Sequence, residues 1–153
     1  MTVERTVDAP VERVWAVFTD LAARPRWLST VESVEELTAG PFGAGTAWRE
    51  TRLVADGAAI SEELRVLTCA PAASVTLASP GIGADYRMTY TFQPQGVRTC
   101  VRIVLEGTPQ GAASRVLSVL LGGLAARTVE GALRRDLDDL AAAATEADPA
   151  PAG

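Results

Sequence analysis

Hydrophobic and polar residues alternate along much of the middle of the chain, between residues 31 and 107. The alternation is cleanest over residues 84–93, and it recurs over residues 98–106. In these two runs, one set of alternate positions is mainly apolar or aromatic: Tyr86, Met88, Tyr90, Phe92, Thr99, Val101, Ile103 and Leu105. A period of two residues is typical of a strand with one buried face and one solvated face. Glycine- and proline-rich turn sequences separate the runs, so the pattern predicts an antiparallel sheet.

The last third of the chain has a helical pattern instead. Residues 112–145 contain no proline and consist mostly of helix-favouring Ala, Leu and Arg, which predicts one helix about 50 Å long. Its apolar stripe changes direction near Gly122 and Gly123. This indicates a bend or close packing against bare backbone, unless the glycines are simply tolerated. We expect the charged residues of the second half to lie on a solvated outer face: Arg134, Arg135, Asp136, Asp138 and Asp139.

The first thirty residues predict a strand followed by two short helices. Residues 2–7 alternate as a strand does, and Asp8-Ala9-Pro10 is typical of a helix start. The apolar residues of the first helix follow the spacing i, i+3, i+4 and i+7: Val11, Val14, Trp15 and Phe18. Pro25 is expected to interrupt the chain before a second short helix or turn at residues 26–28. With the sheet and the long helix, these elements predict an α+β fold.

Length and charge limit the classes of function. A chain of 153 residues is expected to form one domain, here residues 1–145, with a disordered tail over residues 146–153. The net charge of −5 argues against nucleic acid and anionic membranes as partners. The longest apolar run is too short to span a bilayer, and the start of the chain lacks an apolar leader. We therefore expect a cytoplasmic protein.

The residue types present exclude several kinds of site. The chain has no histidine, which excludes Ser-His-Asp and Cys-His catalysis and histidine-ligated metals. Cys69 and Cys100 are too few for a structural zinc site, and we interpret them as buried free thiols. We therefore expect neither a metal nor a cofactor.

Two predicted strands carry charges on the face that should be buried. Over residues 60–68, Glu62 shares a face with Leu64, Val66 and Thr68. Over residues 46–54, Trp48 shares a face with two charged residues, Glu50 and Arg52. Isolated buried charges are very costly, so these groups should pair with each other or face a cavity. The other interpretation is that these strand ends lie at the rim of the sheet, in water.

The order of several short motifs resembles a known superfamily. The motifs are a start Asp8-Ala9-Pro10-Val11-Glu12-Arg13-Val14-Trp15, then Arg24-Pro25-Arg26-Trp27, Gly43-Ala44-Gly45-Thr46 and Gly96-Val97-Arg98-Thr99. Together with the long C-terminal helix they resemble the START/Bet v 1-like (SRPBCC) superfamily, in particular its bacterial polyketide cyclase/dehydrase branch. The resemblance implies a helix-grip fold, in which a curved seven-stranded antiparallel sheet wraps around the C-terminal helix and encloses an apolar cavity. Iron-containing oxygenases share that fold, but their metal ligands include histidine, which this chain lacks, so that branch is excluded.

The resemblance implies a ligand cavity but not one function, because members carry lipids, sense hormones, bind ubiquinone or aid chaperones, and some cyclise and dehydrate polyketides. We therefore expect either a binder of a hydrophobic small molecule, as a monomer or homodimer, or a cofactor-independent cyclase or dehydratase. Candidate catalytic residues are Glu50 and Glu62 as bases and Tyr86 and Tyr90 as groups that stabilise an enolate. The candidate pocket lining consists of Trp27, Trp48, Arg52, Met88, Leu121, Leu124 and Thr128. Aromatic residues and methionine on an inward strand face are also compatible with an ordinary filled core.

Overall fold

The computed structural model describes residues 1–53, 57–81, 84–109 and 112–146, with side chains over 1–53, 57–79, 85–107 and 129–146. The described strands are β1 (Thr2–Val7), β2 (Val31–Glu36), β3 (Ala47–Leu53), β4 (Ala59–Ala70), β5 (Ser74–Gly81), β6 (Ala84–Gln95) and β7 (Arg98–Pro109). The described α-helices are α1 (Val11–Thr19), α2 (Arg24–Trp27) and α3 (Ala112–Thr145), with a 3₁₀ turn at Leu21–Ala23.

The described strands form one antiparallel sheet of seven strands in the order β1-β7-β6-β5-β4-β3-β2. The second strand in sequence therefore lies at one edge and the first at the other. The sheet curves around α3, which contacts β1, β7, α1 and α2. This arrangement confirms the predicted α+β helix-grip fold, with two short helices after the first strand.

The helices follow the sequence pattern with small differences. The range of α3 is the predicted one, whereas α1 begins at Val11 and Pro10 precedes it as the N-cap. Pro25 does not interrupt the chain as expected. It lies in the first turn of α2, where its missing N–H removes no hydrogen bond.

An aromatic cluster fills the end of the molecule near α1. The ring of Phe18 lies 4.8 Å from that of Tyr90 and 5.3 Å from that of Phe92, centroid to centroid. Trp15 contacts Phe92 edge-on at 5.2 Å. Edge-on and tilted contacts of this kind add to the gain from burying the rings. The predicted inward stripe of α1 is thus packed against the sheet.

One face assignment in the sheet is wrong. The register between β4 and β5 shifts between Val66 and Thr68, so that Leu67 is an irregularity in the strand. Beyond it, Thr68 is exposed and Cys69 packs against the core, which reverses the predicted alternation. Cys69 and Cys100 are free thiols, as predicted, but each is half-buried rather than fully buried.

Some predictions concern residues outside the described part of the chain. The side chains of residues 112–128 are not described, so the predicted role of Gly122 and Gly123 stays a prediction. The same holds for the tail beyond Glu146. Among the described residues, no helix has the length and apolar character needed to cross a membrane.

Candidate functional site

A cavity of about 300 Å³ lies between the inner face of the sheet and the second half of α3. Its apolar walls consist of Leu64, Leu77, Met88, Leu105, Val129, Ala132 and Leu133. Its polar walls consist of Arg24, Arg52, Glu62, Tyr86, Tyr90 and Asp136. Most of the surface is therefore apolar, and a limited set of polar groups faces the interior.

The register of the sheet brings the polar strand residues together. Glu50 on β3 lies opposite Glu62 on β4, and Ser79 on β5 lies opposite Tyr86 on β6. Because side chains two residues apart share a face, Arg52 lies on the same face as Glu50. The Ser79 hydroxyl donates a hydrogen bond of 2.5 Å to Glu62, which holds this carboxylate at the cavity wall.

Glu50 is fully buried behind that wall rather than exposed in the cavity. Its Oε1 accepts hydrogen bonds from Arg24 Nε at 2.5 Å and from Trp48 Nε1 at 2.9 Å. Its Oε2 accepts one from Arg52 Nε at 3.1 Å. Burial alone would raise the pKa of Glu50, but the two arginines and the indole outweigh it and lower the pKa below its ordinary value. Glu50 is therefore a permanent carboxylate that positions the two arginines.

Arg52 connects Glu50 to α3. Its Nη1 donates to Asp136 at 3.2 Å and to the Thr30 hydroxyl at 3.2 Å. Burial lowers the pKa of Arg52, but Asp136 and Glu50 raise it above its ordinary value, so the guanidinium stays charged. One cation is thus held between two carboxylates from different elements.

Arg24 is the second buried cation, and it keeps an unused donor. Only 4% of the residue is exposed, and its guanidinium lies over the rings of Trp48, Trp27 and Phe18 at 5.4, 5.6 and 5.9 Å. Such contacts stabilise a desolvated cation. Its Nη1 has no hydrogen-bond partner among the described residues.

Asp136 and Tyr90 are the groups whose environment favours a proton. Burial raises the pKa of Asp136 above its ordinary value, although Arg52 and Arg24 oppose this. Burial and the neighbouring Asp136 raise the pKa of Tyr90 as well, so its phenol stays protonated at neutral pH. The cavity wall therefore holds a hydroxyl donor, two guanidinium donors and a carboxyl group that accepts a proton more readily than an exposed aspartate.

The predicted site residues fall into three groups. Five of them line the cavity: Arg52, Glu62, Tyr86, Met88 and Tyr90. Glu50 and Trp48 are fully buried behind the wall, and Trp27 borders a smaller void and an outer groove instead of the cavity. Leu121, Leu124 and Thr128 lie in the part of α3 whose side chains are outside the described residues. Glu50 is fully buried and ion-paired with Arg52, so the interpretation of a solvated rim is wrong for Glu50.

Arg24 and Asp136 line the cavity but are not among the site residues predicted from the sequence. Asp136 was expected on the solvated face of α3, but its side chain is only 12% exposed. It lies three residues after Leu133 and four before Leu140, on the buried stripe, so helical spacing could have identified it. No comparable signal in the sequence marks Arg24, because its burial depends on rings from three separate elements.

Comparisons with known proteins agree with this architecture. The family described as "Polyketide cyclase / dehydrase and lipid transport" matches residues 1–145. TTHA0849 from Thermus thermophilus is 25% identical with a TM-score of 0.76, over 94% of this chain and 95% of that one. The Zhui aromatase/cyclase from Streptomyces sp. R1128 is 18% identical with a TM-score of 0.73, over 94% and 92%.

A more distant structure, Ara h 8.0201, is 13% identical with a TM-score of 0.66, over 93% of this chain and 97% of that one. At this identity, and at that of the aromatase/cyclase, the likeness shows the fold alone. A comparison with curated proteins gives no match. The family match covers nearly all of the chain, and the helix-grip fold with its internal cavity agrees with it. The chain therefore belongs to the polyketide cyclase/dehydrase and lipid transport family.

Proposed function

We propose that this protein binds a hydrophobic small molecule, of lipid, polyketide or isoprenoid type, in the cavity between the sheet and α3. The observation that carries the proposal is the composition of the wall, where seven apolar residues lie beside six polar ones, of which Arg52 and Asp136 are hydrogen-bonded to each other. Ligand sites are typically apolar with a few placed polar groups, and about 300 Å³ is the lower end of their volume range. A small ligand with one oxygen-rich end fits this description.

The polar groups favour an oxygen-bearing end on the ligand. Arg24 and Arg52 supply fixed cationic donors, and Tyr90 supplies a neutral one. Carbonyl, hydroxyl or enolate oxygens would accept from these donors, whereas an ammonium group would not. We further propose a single domain over residues 1–145 that acts in the cytoplasm as a monomer or homodimer. The net charge of −5 supports the absence of a nucleic-acid partner.

A cavity-filling variant tests the binding proposal. Ala132 is an exposed residue of α3 that lines the cavity, so Ala132→Trp should place an indole in the opening without removing core contacts. We expect this variant to bind the dye anilinonaphthalene sulfonate at least tenfold more weakly than the natural protein, as measured by fluorescence titration. Native mass spectrometry of gently purified protein should also show a retained small molecule that the variant lacks.

The matched control is Ala142→Trp, at an exposed position on the same helix that borders the outer groove instead. This variant should bind the dye as the natural protein does. Equal dye binding by all three proteins, with no retained mass, would contradict the proposal.

A second candidate function is a cyclase or dehydratase of a polyketide-like chain. The observation that favours it is the raised pKa of Asp136 beside Tyr90 and two arginines. Asp136 or Glu62 would remove a proton from a carbon between two carbonyls, and Tyr90 with the arginines would stabilise the enolate oxygen. Glu50 would position the arginines and would not act as the base, because both its oxygens are occupied.

Turnover of a poly-ketone substrate by single variants tests this candidate. Asp136→Asn or Glu62→Gln should lower turnover by roughly 10²–10⁴-fold while dye binding persists, since a general base contributes about that much. Normal turnover by both variants would show that the assigned base is wrong.

A further inference from the structure

A small void lies behind the cavity, and it is bordered by two buried donors that lack partners. The void has a volume of about 10 Å³ and lies among Phe18, Leu28, Leu137 and Leu140 on its apolar sides. Its polar sides are Arg24, Trp27, Tyr90 and Asp136. Arg24 Nη1 and Trp27 Nε1 are both buried, and neither has a hydrogen-bond partner among the described residues.

The volume and the chemistry of this void both correspond to a single oxygen atom. A space of roughly 10–15 Å³ holds one water, provided that two to four polar groups surround it. The void offers two N–H donors and, in the Asp136 carboxylate, an acceptor. Buried donors without a partner are rare in folded proteins, so one water molecule that accepts a hydrogen bond from each donor is the simplest way to satisfy both.

We infer that this void is a binding site for one water molecule, which accepts hydrogen bonds from Arg24 Nη1 and Trp27 Nε1 and donates one to Asp136. The inference goes beyond the proposed function, because the water is bound whether or not a ligand fills the cavity. Its role is to hold the free edge of the Arg24 guanidinium and the Asp136 carboxylate in fixed positions at the cavity wall. Arg24, Tyr90 and Asp136 border both spaces, so the water lies directly behind the polar wall.

The Trp27 side chain lies between the void and a groove on the outside of the molecule. Trp27 borders the void on one side and an outer groove between α1, α2 and the end of α3 on the other. The indole is thus a partition between the groove and the water. Exchange of this water through the groove requires the Trp27 side chain to move, and exchange through the cavity requires Arg24, Tyr90 or Asp136 to move, so the water should be long-lived.

Nuclear magnetic resonance of the full ¹⁵N-labelled chain tests the inference through the indole N–H of Trp27. In a rotating-frame experiment, a bound water should give a dipolar cross-peak between this N–H and the water resonance, opposite in sign to a chemical-exchange peak. The Trp27→Phe variant assigns the signal by removing it. Trp48 is the matched control, because its Nε1 is fully buried and donates directly to Glu50 at 2.9 Å.

We expect the dipolar cross-peak at Trp27 and none at Trp48. Its absence at Trp27, or equal peaks at both indoles, would overturn the inference.

A crystal structure at high resolution provides a second measurement. Density for one water within hydrogen-bond distance of Arg24 Nη1 and Trp27 Nε1 would support the site, and an empty or collapsed void would refute it. Neither measurement requires a ligand, so failure here is distinguishable from failure of the proposed function.

Discussion

Glu50 and Asp136 flank Arg52, and their environments shift the pKa values of the two carboxyl groups in opposite directions. Glu50 accepts three hydrogen bonds and has a lowered pKa. Burial raises the pKa of Asp136, although the same Arg52 opposes this. Because a change in pKa on folding is also a change in stability, the first carboxylate stabilises the folded state and the second costs stability when it is ionised. Costly ionisable groups of this kind concentrate at functional sites.

This contrast predicts opposite effects of neutralising the two side chains. Glu50→Gln should destabilise the protein by about 3–5 kcal/mol at neutral pH, because it removes the counter-charge of the buried Arg24 and leaves Arg52 paired with Asp136 alone. Asp136→Asn should instead raise the free energy of unfolding, because it removes a carboxylate that folding disfavours. Urea unfolding followed by circular dichroism measures both changes.

The pH dependence follows from the same shifts. The stabilisation by Glu50 is fully present above the unfolded-state pKa of about 4.3 and is lost as the pH falls through the lower folded-state value. For Asp136, the penalty is absent below the unfolded-state pKa of about 3.9 and appears as the pH rises through the higher folded-state value. Both differences from the natural protein should therefore shrink in acid. The control is Glu63→Gln, which removes a solvent-exposed pair with Arg49 and should have a much smaller effect.

At the scale of the elements, the long helix and the sheet were predictable because their patterns are local. The Ala- and Leu-rich composition of residues 112–145 and the alternation over residues 84–106 each depend on neighbouring positions only. The bulge at Leu67 was not predictable in this way, because a shift in register is a property of two strands. It reverses the face of every residue that follows in β4.

The charged residues of the site also depend on contacts between distant elements, which a local pattern does not reveal. Alternation placed Glu50, Arg52 and Glu62 on the inward face, but it could not distinguish a buried network from a wet rim. The distinction depends on Arg24, which α2 delivers from a distant part of the sequence. Asp136 was assigned to the outer face because charged residues surround it, although its helical spacing indicates the buried stripe. For Asp136, the charged neighbours led to the wrong prediction, and the helical spacing indicates the buried position that the structure shows.

At the scale of the whole molecule, the two ends of the sheet are packed differently. Near α1, aromatic rings and the last turns of α3 form a densely packed core that includes Leu140, which is 2% exposed and borders only the void of about 10 Å³. Towards the middle of α3, the same sheet face borders the cavity, where Leu105 is half-buried. A fold of this kind can therefore derive its stability from one end and keep open space at the other.

Two identical substitutions test this division. Leu140→Ala should cost about 2–5 kcal/mol, because it enlarges a small void that the densely packed core around it cannot close. Leu105→Ala should cost about 1–2 kcal/mol, because the side chain already borders open space and loses mainly its own partial burial. Dye affinity should show the reverse order. Leu105→Ala enlarges the cavity itself and should change the affinity more than Leu140→Ala, which borders the small void and not the cavity. Equal losses of stability in urea unfolding would mean that side chains fill the cavity in solution, and the binding proposal would then have no space to act in.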